Sequence, residues 1–353
     1  MLVVSGDGVP LAVPVLRSLT PLSAASFSRL TDYQPSANYC SSHADFAMTS
    51  FQLQVPSAAM GGVVTIGNFD GVHRGHQAML SVVREHAVKK DCPAVVVTFD
   101  PHPITILKPD VHLPRLSTIP VRSQLLKQHG ADEVIVLPVC KQLLNMTPEQ
   151  FFQDVVAQLQ PVGMVEGPDF RFGRDRAGDT TVLQTFCDSA DIDLKVISAV
   201  CFSDRMISST QIRGLLSAGE VTAAVELLGH PYSMAGFVRH GAGRGGGLGF
   251  PTANLEDINT LLPADGVYGA ECVIDQQRYA VAVSIGPNPT FADNSRKVEC
   301  HIIGFSGDLY ERELRIDLLR HIRGLISFPN LDTLKQQIRR DIADSVAAFE
   351  ASQ

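Results

Sequence analysis

Two histidines lie in a turn directly after an apolar run. Residues 67–76 read Gly-Asn-Phe-Asp-Gly-Val-His-Arg-Gly-His and follow the β-branched run Val63–Ile66. A strand that ends in glycine and opens onto a helix presents backbone N–H groups and a positive dipole end, which suit a phosphate. His73 and His76 are three positions apart, so on a helix they share one face and point at one anionic group. The spacing predicts nucleotide chemistry.

The same histidine pair is also compatible with a helix cap or a metal site. A zinc site needs further ligands, whereas the neighbours Asn68, Asp70 and Gly75 supply turn chemistry. The sequence contains no Gly-x-x-x-x-Gly-Lys-Ser/Thr motif. We therefore expect a nucleotide to be held here by histidine and backbone N–H groups, without a P-loop lysine.

A glycine-rich segment forms the start of a second constellation. Residues 241–254 read Gly-Ala-Gly-Arg-Gly-Gly-Gly-Leu-Gly-Phe-Pro-Thr-Ala-Asn, and the first glycines match Gly-x-Gly-x-x-Gly. Gly249 and Pro251 argue against the helix that a dinucleotide-binding fold requires after this motif. The pattern instead favours a mobile loop whose backbone N–H groups approach phosphates closely.

Polar residues beyond that loop add a possible metal site and a base. Thr252 and Asn254 are two apart, so in an extended segment their oxygens share a face, which suits Mg²⁺. In residues 297–302 the apolar positions alternate, which puts Glu299 on the opposite face from them. A carboxylate there can deprotonate a substrate hydroxyl. A simple turn and the solvated face of a strand remain the alternatives.

The elements that position these residues follow from the hydrophobic pattern. From Gly61, short β-branched runs alternate with helical patterns, which is typical of a parallel sheet covered by helices. The predicted strands are 63–66, 94–99, 134–137, 163–166 and 194–197. The predicted helices are 76–89, 121–129, 148–159, 180–190 and 209–228, with Thr147 and Asp179 as N-caps. Ligands of such sheets gather beyond the carboxyl ends of the strands.

Three more segments with unusual residues fall at those ends. Asp100-Pro101-His102-Pro103 follows the second strand, and its prolines argue against a continued strand or a regular helix. The loop 167–176, with three arginines and two phenylalanines, is either a solvated turn or a phosphate and ring site. In the segment 208–213 the hydroxyls either cap a helix N-terminus or form a phosphate-binding site together with Arg213.

The pattern changes after residue 229. Short strands with turn signals at 234–238, 266–274, 279–285, 298–305 and 313–319, then a helix over 331–349, predict a small β-barrel or sandwich with a C-terminal helix. The predicted domains are therefore 1–60, a poorly ordered extension, 61–228 and 229–353. Met60 directly precedes the first convincing strand, so it is an alternative start.

Composition excludes several classes of protein. With 353 residues and 45% hydrophobic residues the chain has room for two cores, and a net charge of −8 argues against duplex nucleic acid as a partner. The seven cysteines form no C-x-x-C pair, which fits a reducing cytosol. The longest apolar runs are far shorter than a membrane span. We expect a cytoplasmic protein, and a homo-oligomer is compatible with the sequence.

Five collinear motifs resemble the bifunctional riboflavin kinase/FAD synthetase family of bacteria. They are Ile66–Gln77, Phe99–Pro103, Asp169–Gly173, Ser208–Arg213 and Gly249–Asn254, joined by Gly-Val-Tyr at 266–268 and Val-Glu-Cys-His at 298–301. The likeness covers residues 61–350. It implies an α/β, Rossmann-like FMN adenylyltransferase domain, followed by a small antiparallel β-barrel riboflavin kinase domain with a C-terminal helix.

The resemblance also implies a role for each candidate residue. In the first domain FMN phosphate attacks the α-phosphorus of ATP, which releases pyrophosphate and forms FAD. The implied ATP-binding residues of this domain are Gly67, Phe69, Asp70, His73, His76, Ser209, Thr210 and Arg213, with both histidines also stabilising charge in the transition state. The implied flavin-binding residues are Asp100, His102, Asp169 and Phe170.

In the second domain the resemblance implies phosphorylation of riboflavin to FMN. The implied ATP-binding residues are Gly243, Arg244, Gly245, Thr252 and Asn254, the last two with Mg²⁺, and Glu299 activates the ribityl 5′-hydroxyl. The family often has an acidic residue shortly after the arginine of its last barrel segment. Here Arg323 is followed by Gly-Leu-Ile-Ser-Phe instead.

Two other functions remain open from the sequence. One is a nucleotidyltransferase that acts on another phosphorylated acceptor. The Pro-Thr-Ala-Asn segment of the second domain argues against this function. The other is a flavin-binding regulatory protein that has kept the folds and lost turnover. The implied partners are small molecules, namely riboflavin, FMN and ATP.

Overall fold

The computed structural model describes residues 2–4, 10–12, 53–198, 201–202, 205–241, 244–288 and 293–353. Contacts divide the chain into two compact units. Within the described part, the first contains residues 2–4, 10–12, 53–113 and 119–207 and the second contains residues 114–118 and 208–353. The first is built on a parallel sheet and the second on an antiparallel barrel, so the predicted fold class is confirmed.

A five-stranded parallel sheet forms the centre of the first unit. Its strands are β3 (Val63–Ile66), β4 (Ala94–Asp100), β5 (Glu133–Pro138), β6 (Gly163–Glu166) and β7 (Asp193–Val196). Their order is β5-β4-β3-β6-β7, so the chain moves from one side of β3 to the other before β6. That reversal places a topological switch point at the carboxyl ends of β3 and β6, where ligands of such sheets bind. All five predicted strands are confirmed.

Helices cover both faces of this sheet, which is why β3 is buried at every position. Val64 and Ile66 lie in one core cluster, and Val63 lies in another. The helices are α1 (Arg74–Lys90), α2 (Pro103–Leu107), α3 (Ile119–Gln128), α4 (Lys141–Leu144), α5 (Pro148–Phe151) and α6 (Thr180–Ser189). Thr147 and Asp179 cap α5 and α6 as predicted. Short antiparallel pairs join β1 (Leu2–Val4) to β2 (Pro10–Ala12) and β8 (Cys201–Phe202) to β9 (Arg205–Met206).

Two predicted helices are interrupted. The helix expected over 148–159 is α-helical only to Phe151, and continues as a π-helix over Phe152–Val156 and a 3-10 turn over Ala157–Leu159. The helix expected over 209–228 is two helices, α7 (Ser209–Ser217) and α8 (Val221–Leu228). Gly219 separates them with φ of +80°, a conformation that ends helices and favours glycine.

Residues 53–59 belong to the core of the first unit. Leu53 and Val55 pack against the larger core cluster, and Ala59, in a 3-10 turn over Ser57–Ala59, is completely buried in it. The end of the predicted extension is therefore a packed segment. The domain limits themselves stay predictions, because contacts group α7 and α8 with the second unit.

The second unit is a closed six-stranded barrel. Its strands are β10 (Tyr232–Arg239), β11 (Ala253–Glu256), β12 (Gly266–Ile274), β13 (Gln277–Asn288), β14 (Asp293–Ile302) and β15 (Glu313–Arg323). They close in the order β10-β11-β14-β13-β12-β15, with every pairing antiparallel. The five predicted strands are present, and β11 is a sixth. A short helix, α9 (Arg244–Leu248), follows β10, and α10 (Leu331–Glu350) packs against β12, β13 and β15.

Within the described residues, none of the helices has both the length and the apolar character needed to cross a membrane.

Candidate active sites

The loop between β3 and α1 is tightly packed. Phe69 and Val72 have φ of 46° and 38°, values that side-chain-bearing residues rarely adopt. Both are buried in one core cluster with Leu80 of α1, so packing holds the backbone in this conformation. Gly67 at the start of the loop lies against the Phe69 ring, where an added Cβ would come within 3.1 Å of it.

Asp70 of this loop forms a buried ion pair. Its Oδ1 is 2.9 Å from Nη2 of Arg122, and both side chains are at most 4% exposed. Arg122 also donates to the backbone carbonyl of Phe99, at 3.3 Å, near the end of β4. The pair thus ties the histidine loop to the neighbouring strand end. Asp70 was predicted to bind ATP, and the ion pair gives it a role in holding the loop.

The two histidines form one stacked pair at the start of α1. His73 is the N-cap residue, and its Nδ1 accepts a hydrogen bond from the backbone N–H of His76 at 3.4 Å. The ring centroids are 3.6 Å apart and the ring planes differ by 16°. A Cβ at Gly75 would lie 3.1 Å from the His73 ring, so glycine leaves room for the imidazole. The predicted shared face is present.

His76 is held in its neutral form. Burial lowers its pKa well below the ordinary value, and His73 and Arg122 lower it further. The ring meets Phe69 edge to face, with centroids 5.1 Å apart. Its Nδ1 is buried and has no hydrogen-bond partner in the described part of the chain. A neutral imidazole stabilises a phosphate by hydrogen bonding, in place of the full charge that a protonated pair would supply.

Asp100 and His102 lie at the carboxyl end of β4, beside β3. The expectation that the prolines exclude a strand and a helix here is wrong. β4 continues to Asp100, and Pro103 occupies the first position of α2, where its missing N–H is not needed. His102 caps that helix, because its Nδ1 accepts from the N–H of Ile104 at 3.2 Å.

The loop after β6 places one aromatic ring in the core and a second, partly buried ring against it. Phe172 is buried and packs against Phe151 and Phe186, while Phe170 stacks on Phe172 with centroids 5.5 Å apart. Asp169 is exposed. Phe172 is therefore a packing anchor, and Asp169 and Phe170 remain the residues predicted to meet a flavin.

Ser209, Thr210 and Arg213 lie in the first turns of α7. Ser208 is the N-cap, since its hydroxyl accepts from the N–H of Gln211 at 3.2 Å. Arg213 donates from Nε to the carbonyl of Pro114 at 2.8 Å. Contacts group these residues with the second unit, whereas both histidines belong to the first. Their joint use in one ATP site stays a prediction.

The barrel brings Asn254 and Glu299 together. They are direct Cα partners on the antiparallel strands β11 and β14, so their side chains leave the same face. Val298, Cys300 and Ile302 are buried, which confirms the predicted alternation and leaves Glu299 on the outer side of the barrel wall.

Thr252 directly precedes β11, in a segment fastened to β14. The Nδ1 of His301 is 2.8 Å from the carbonyl of Pro251, and Phe250 meets the His301 ring edge to face at 6.0 Å. A Cβ at Gly241 would lie 2.1 Å from Nδ2 of Asn254, so the glycine segment begins in direct contact with that amide.

The glycine segment contains a helical turn that was not expected. Residues 244–248 form α9, which ends before Gly249, where φ is +91°. The flanking strand β10 is antiparallel to its neighbours, so the dinucleotide-binding interpretation still fails. Gly243 lies outside the described residues. Arg244 and Gly245 start the turn.

Three buried charged residues were missed by sequence analysis. Arg122 lies on α3, Glu166 is the last residue of β6, and Asp341 lies on α10. Asp341 accepts two hydrogen bonds from Arg323, at 2.9 and 2.6 Å, so the C-terminal helix supplies an acidic partner for that arginine. For Glu166 the available signal was a charged residue that closes an apolar strand.

Family models match both halves of the chain in order. A model described as FAD synthetase matches residues 55–211, and one described as riboflavin kinase matches residues 228–349. A bifunctional riboflavin kinase/FMN adenylyltransferase of Escherichia coli K12 is 35% identical over 283 residues, covering 80% of this chain and 90% of the relative. Proteins of the same description from Pseudomonas fluorescens and Bacillus subtilis are 36% and 30% identical, covering 80% and 81% of this chain and 91% and 92% of the relatives.

A solved structure shares the fold. It is described as a macrolide-efflux protein from Streptococcus pneumoniae, is 33% identical, and superposes with a TM-score of 0.73 over 80% of this chain and 92% of that chain. The two family models, the relatives and the two folds agree with one another. The chain belongs to the family of bifunctional riboflavin kinase/FMN adenylyltransferases.

Proposed function

We propose that this chain makes FAD from riboflavin in two ATP-dependent steps. The barrel phosphorylates riboflavin to FMN, and the α/β domain transfers an adenylyl group from ATP to FMN. The observation that carries this proposal is the occurrence of both family models, in order, on one chain. The functional domains are residues 61–228 and 229–353, and FMN is the product of one and the substrate of the other.

In the kinase step Glu299 acts as general base. Its carboxylate accepts the proton of the ribityl 5′-hydroxyl, the resulting oxygen attacks the γ-phosphorus of ATP, and ADP leaves. Asn254 binds the phosphate side of the site, because it is the cross-strand partner of Glu299 and abuts the glycine segment. Arg244 and the backbone N–H groups of residues 243–245 cover the phosphates.

A Mg²⁺ ion bound with ATP fits the residues of the barrel site. Thr252 and Asn254 offer neutral oxygens beside a carboxylate, a donor set that suits an ion which keeps most of its waters. Within the described residues no group of three or more His, Cys, Asp or Glu is placed to hold a metal. A site with few protein ligands is therefore the form we propose. The ion would neutralise charge on the transferred phosphate.

In the adenylyl step a phosphate oxygen of FMN attacks the α-phosphorus of ATP, and pyrophosphate leaves. His73 and His76 donate hydrogen bonds to the phosphates, and Ser209, Thr210 and Arg213 hold the rest of ATP. The flavin is seated by Asp100, His102, Asp169 and Phe170. Asp100 ends β4, the strand next to β3, and His102 follows it as the N-cap of α2. Arg122 hydrogen-bonds to Phe99 of β4 and to Asp70 of the histidine loop, which supports a common site.

Chromatography of one reaction tests the proposal. Purified protein with riboflavin, ATP and Mg²⁺ should accumulate FMN and then FAD, and EDTA should stop both steps. Formation of neither flavin contradicts the proposal and favours a regulatory protein without turnover. Adenylylation of another phosphorylated acceptor, with FMN left unchanged, favours the rival nucleotidyltransferase. The free cysteines of the described part support a reducing cytoplasm as the place of action.

A further inference from the structure

A buried carboxyl group closes the gap between two strands at the switch point of the parallel sheet. β3 pairs with β4 through four consecutive residue pairs, up to Ile66 opposite Val97. Its pairing with β6 stops after Val64 opposite Met164. The two strands therefore part at their carboxyl ends.

Glu166, the last residue of β6, replaces the missing backbone pairing with its side chain. Its Oε1 accepts a hydrogen bond from the backbone N–H of Ile66 at 2.9 Å. Its own carbonyl accepts from the N–H of Ile197, on the other side of the strand. The side chain thus links the end of β6 to Ile66, the last residue of β3, which directly precedes the histidine loop.

Burial favours the protonated form of the Glu166 side chain. The residue is 1% exposed, and burial raises its pKa well above the ordinary value. Cys187 of α6 lies nearby, and burial, with a smaller contribution from Asp188, raises the pKa of that thiol to about 12. Burial thus favours the uncharged form of both groups. A neutral carboxyl has the shape and the acceptor of a glutamine amide, whereas a methionine of similar size has no comparable acceptor.

We infer that Glu166 is a positioning residue for adenylyl transfer, which acts through the Ile66 N–H to hold the Gly67–His76 loop at the open end of β3 and β6. Without this acceptor, Ile66 has a buried, unpaired N–H at the base of the loop. The strand end then shifts to satisfy it, and the stacked histidines move with it. Displacements of about 1 Å in such a site cost up to about a hundredfold in rate. This inference rests on the proposed adenylyl transfer.

Two substitutions of similar size separate the hydrogen bond from mere packing. Glu166→Gln keeps the acceptor and Glu166→Met removes it. We expect Glu166→Gln to stay within about threefold of wild type in FAD formation from FMN, and Glu166→Met to lose about tenfold or more, mainly in kcat. Riboflavin phosphorylation by the same protein is the internal control and should not change. Amide hydrogen exchange at Ile66 should be slow in wild type and Glu166→Gln, and fast in Glu166→Met.

The outcomes are distinguishable from a failure of the proposed function. A wild-type protein that forms no FAD contradicts the function. If wild type forms FAD and Glu166→Met is unimpaired, the inference is wrong while the proposed function stands. The same holds if Glu166→Gln is as impaired as Glu166→Met. If Glu166→Met does not fold, Glu166→Asp decides, because it keeps a carboxyl group but shortens its reach to Ile66. Native exchange and activity in Glu166→Asp then overturn the inference, and fast exchange with lost FAD formation supports it.

Discussion

Asn254 and Glu299 are directly opposite each other on neighbouring antiparallel strands of the barrel. Side chains in such a pair have Cβ atoms about 4.5–5.5 Å apart on one face of the sheet. The 44 residues between them include two long strands, yet the barrel closure returns β14 to the side of β11. The proposed phosphate ligand and the proposed base are thereby placed by backbone pairing, without any contribution from a flexible loop.

Substitution of the proposed base should separate the two activities. Glu299→Ala is expected to lower FMN formation by about 10²–10⁴-fold, the usual contribution of a general base. Conversion of supplied FMN to FAD should continue, because the α/β domain is unchanged. Glu313→Ala, at an exposed position of β15, is the control and should retain both activities. Loss of both activities in a folded Glu299→Ala protein would show that the two-site assignment is wrong.

Substitution of the capping histidine should give the reverse result. His73→Ala removes the acceptor for the His76 N–H and one face of the stacked pair. FAD formation should fall at least about a hundredfold, as for the loss of a transition-state hydrogen-bond donor, while FMN still accumulates from riboflavin. His86→Ala on the same helix is the matched control. Equal losses of FAD formation in the two variants would contradict a special role for His73.

A methyl group at the start of the glycine segment should act through Asn254. In Gly241→Ala the new Cβ would lie 2.1 Å from the Asn254 amide, so the amide must move. Overpacking of this kind costs about 1–3 kcal/mol, and we expect FMN formation to fall about tenfold or more. Gly214→Ala, whose Cβ would meet nothing within 4 Å, should leave the kinase rate unchanged. A normal KM for ATP and a normal kcat in Gly241→Ala would contradict the proposed use of Asn254.

The adjacent alanines 58 and 59 test whether the segment before β3 belongs to the core. Ala59 is completely buried and Ala58 is exposed. Ala59→Asp buries a carboxylate without a partner and should destabilise the first unit by about 3 kcal/mol or more. Ala58→Asp should change stability by less than about 0.5 kcal/mol. Urea unfolding followed by circular dichroism measures both, and equal midpoints would show that residues 53–59 do not stabilise this unit.

The raised pKa of Glu166 predicts a pH-dependent difference in stability. Above the pKa of the unfolded chain, unfolding releases a proton that the folded carboxyl retains, so wild type loses stability as the pH rises toward the folded pKa. Glu166→Gln has no such proton. The free energy of unfolding of Glu166→Gln minus that of wild type should therefore rise by up to about 1.4 kcal/mol per pH unit between pH 5 and the folded pKa. Glu350→Gln, on the exposed surface of α10, is the control. A constant difference between wild type and Glu166→Gln across this range would mean that Glu166 is ionised in the folded protein.

The positions of the strands along the chain could be predicted from the sequence, because each strand carries a local signal. β3 and β6 have the predicted bounds, and the four consecutive β-branched residues of β3 favour a buried strand in an α/β chain. The alternation of Val298, Cys300 and Ile302 likewise fixed the face of Glu299. The helix break at Gly219 was missed, although its signal is local, since a single glycine inside an apolar helical pattern is often tolerated.

Other features depend on contacts far apart in the sequence. The prolines after Asp100 suggested an irregular loop, but Pro103 fits the first turn of a helix once His102 supplies the cap. The role of Arg122 depends on Asp70, 52 residues away, and that of Glu166 depends on Ile66, 100 residues away. No local pattern encodes such pairs. The stacking of His73 and His76 follows from a helix start, which the motif did indicate.

The pairing of Arg323 with Asp341 has a consequence for how this family changes over time. Asp341 is 4% exposed and accepts two hydrogen bonds from the guanidinium of the last barrel strand. Loss of either partner alone leaves a charge with no counterion in a mostly buried place, at a cost of about 3–5 kcal/mol, whereas replacement of both together is tolerated. Substitutions at these two positions should therefore occur as correlated changes among relatives. A relative in which one is altered should carry a compensating residue at the other, or a new partner on the C-terminal helix.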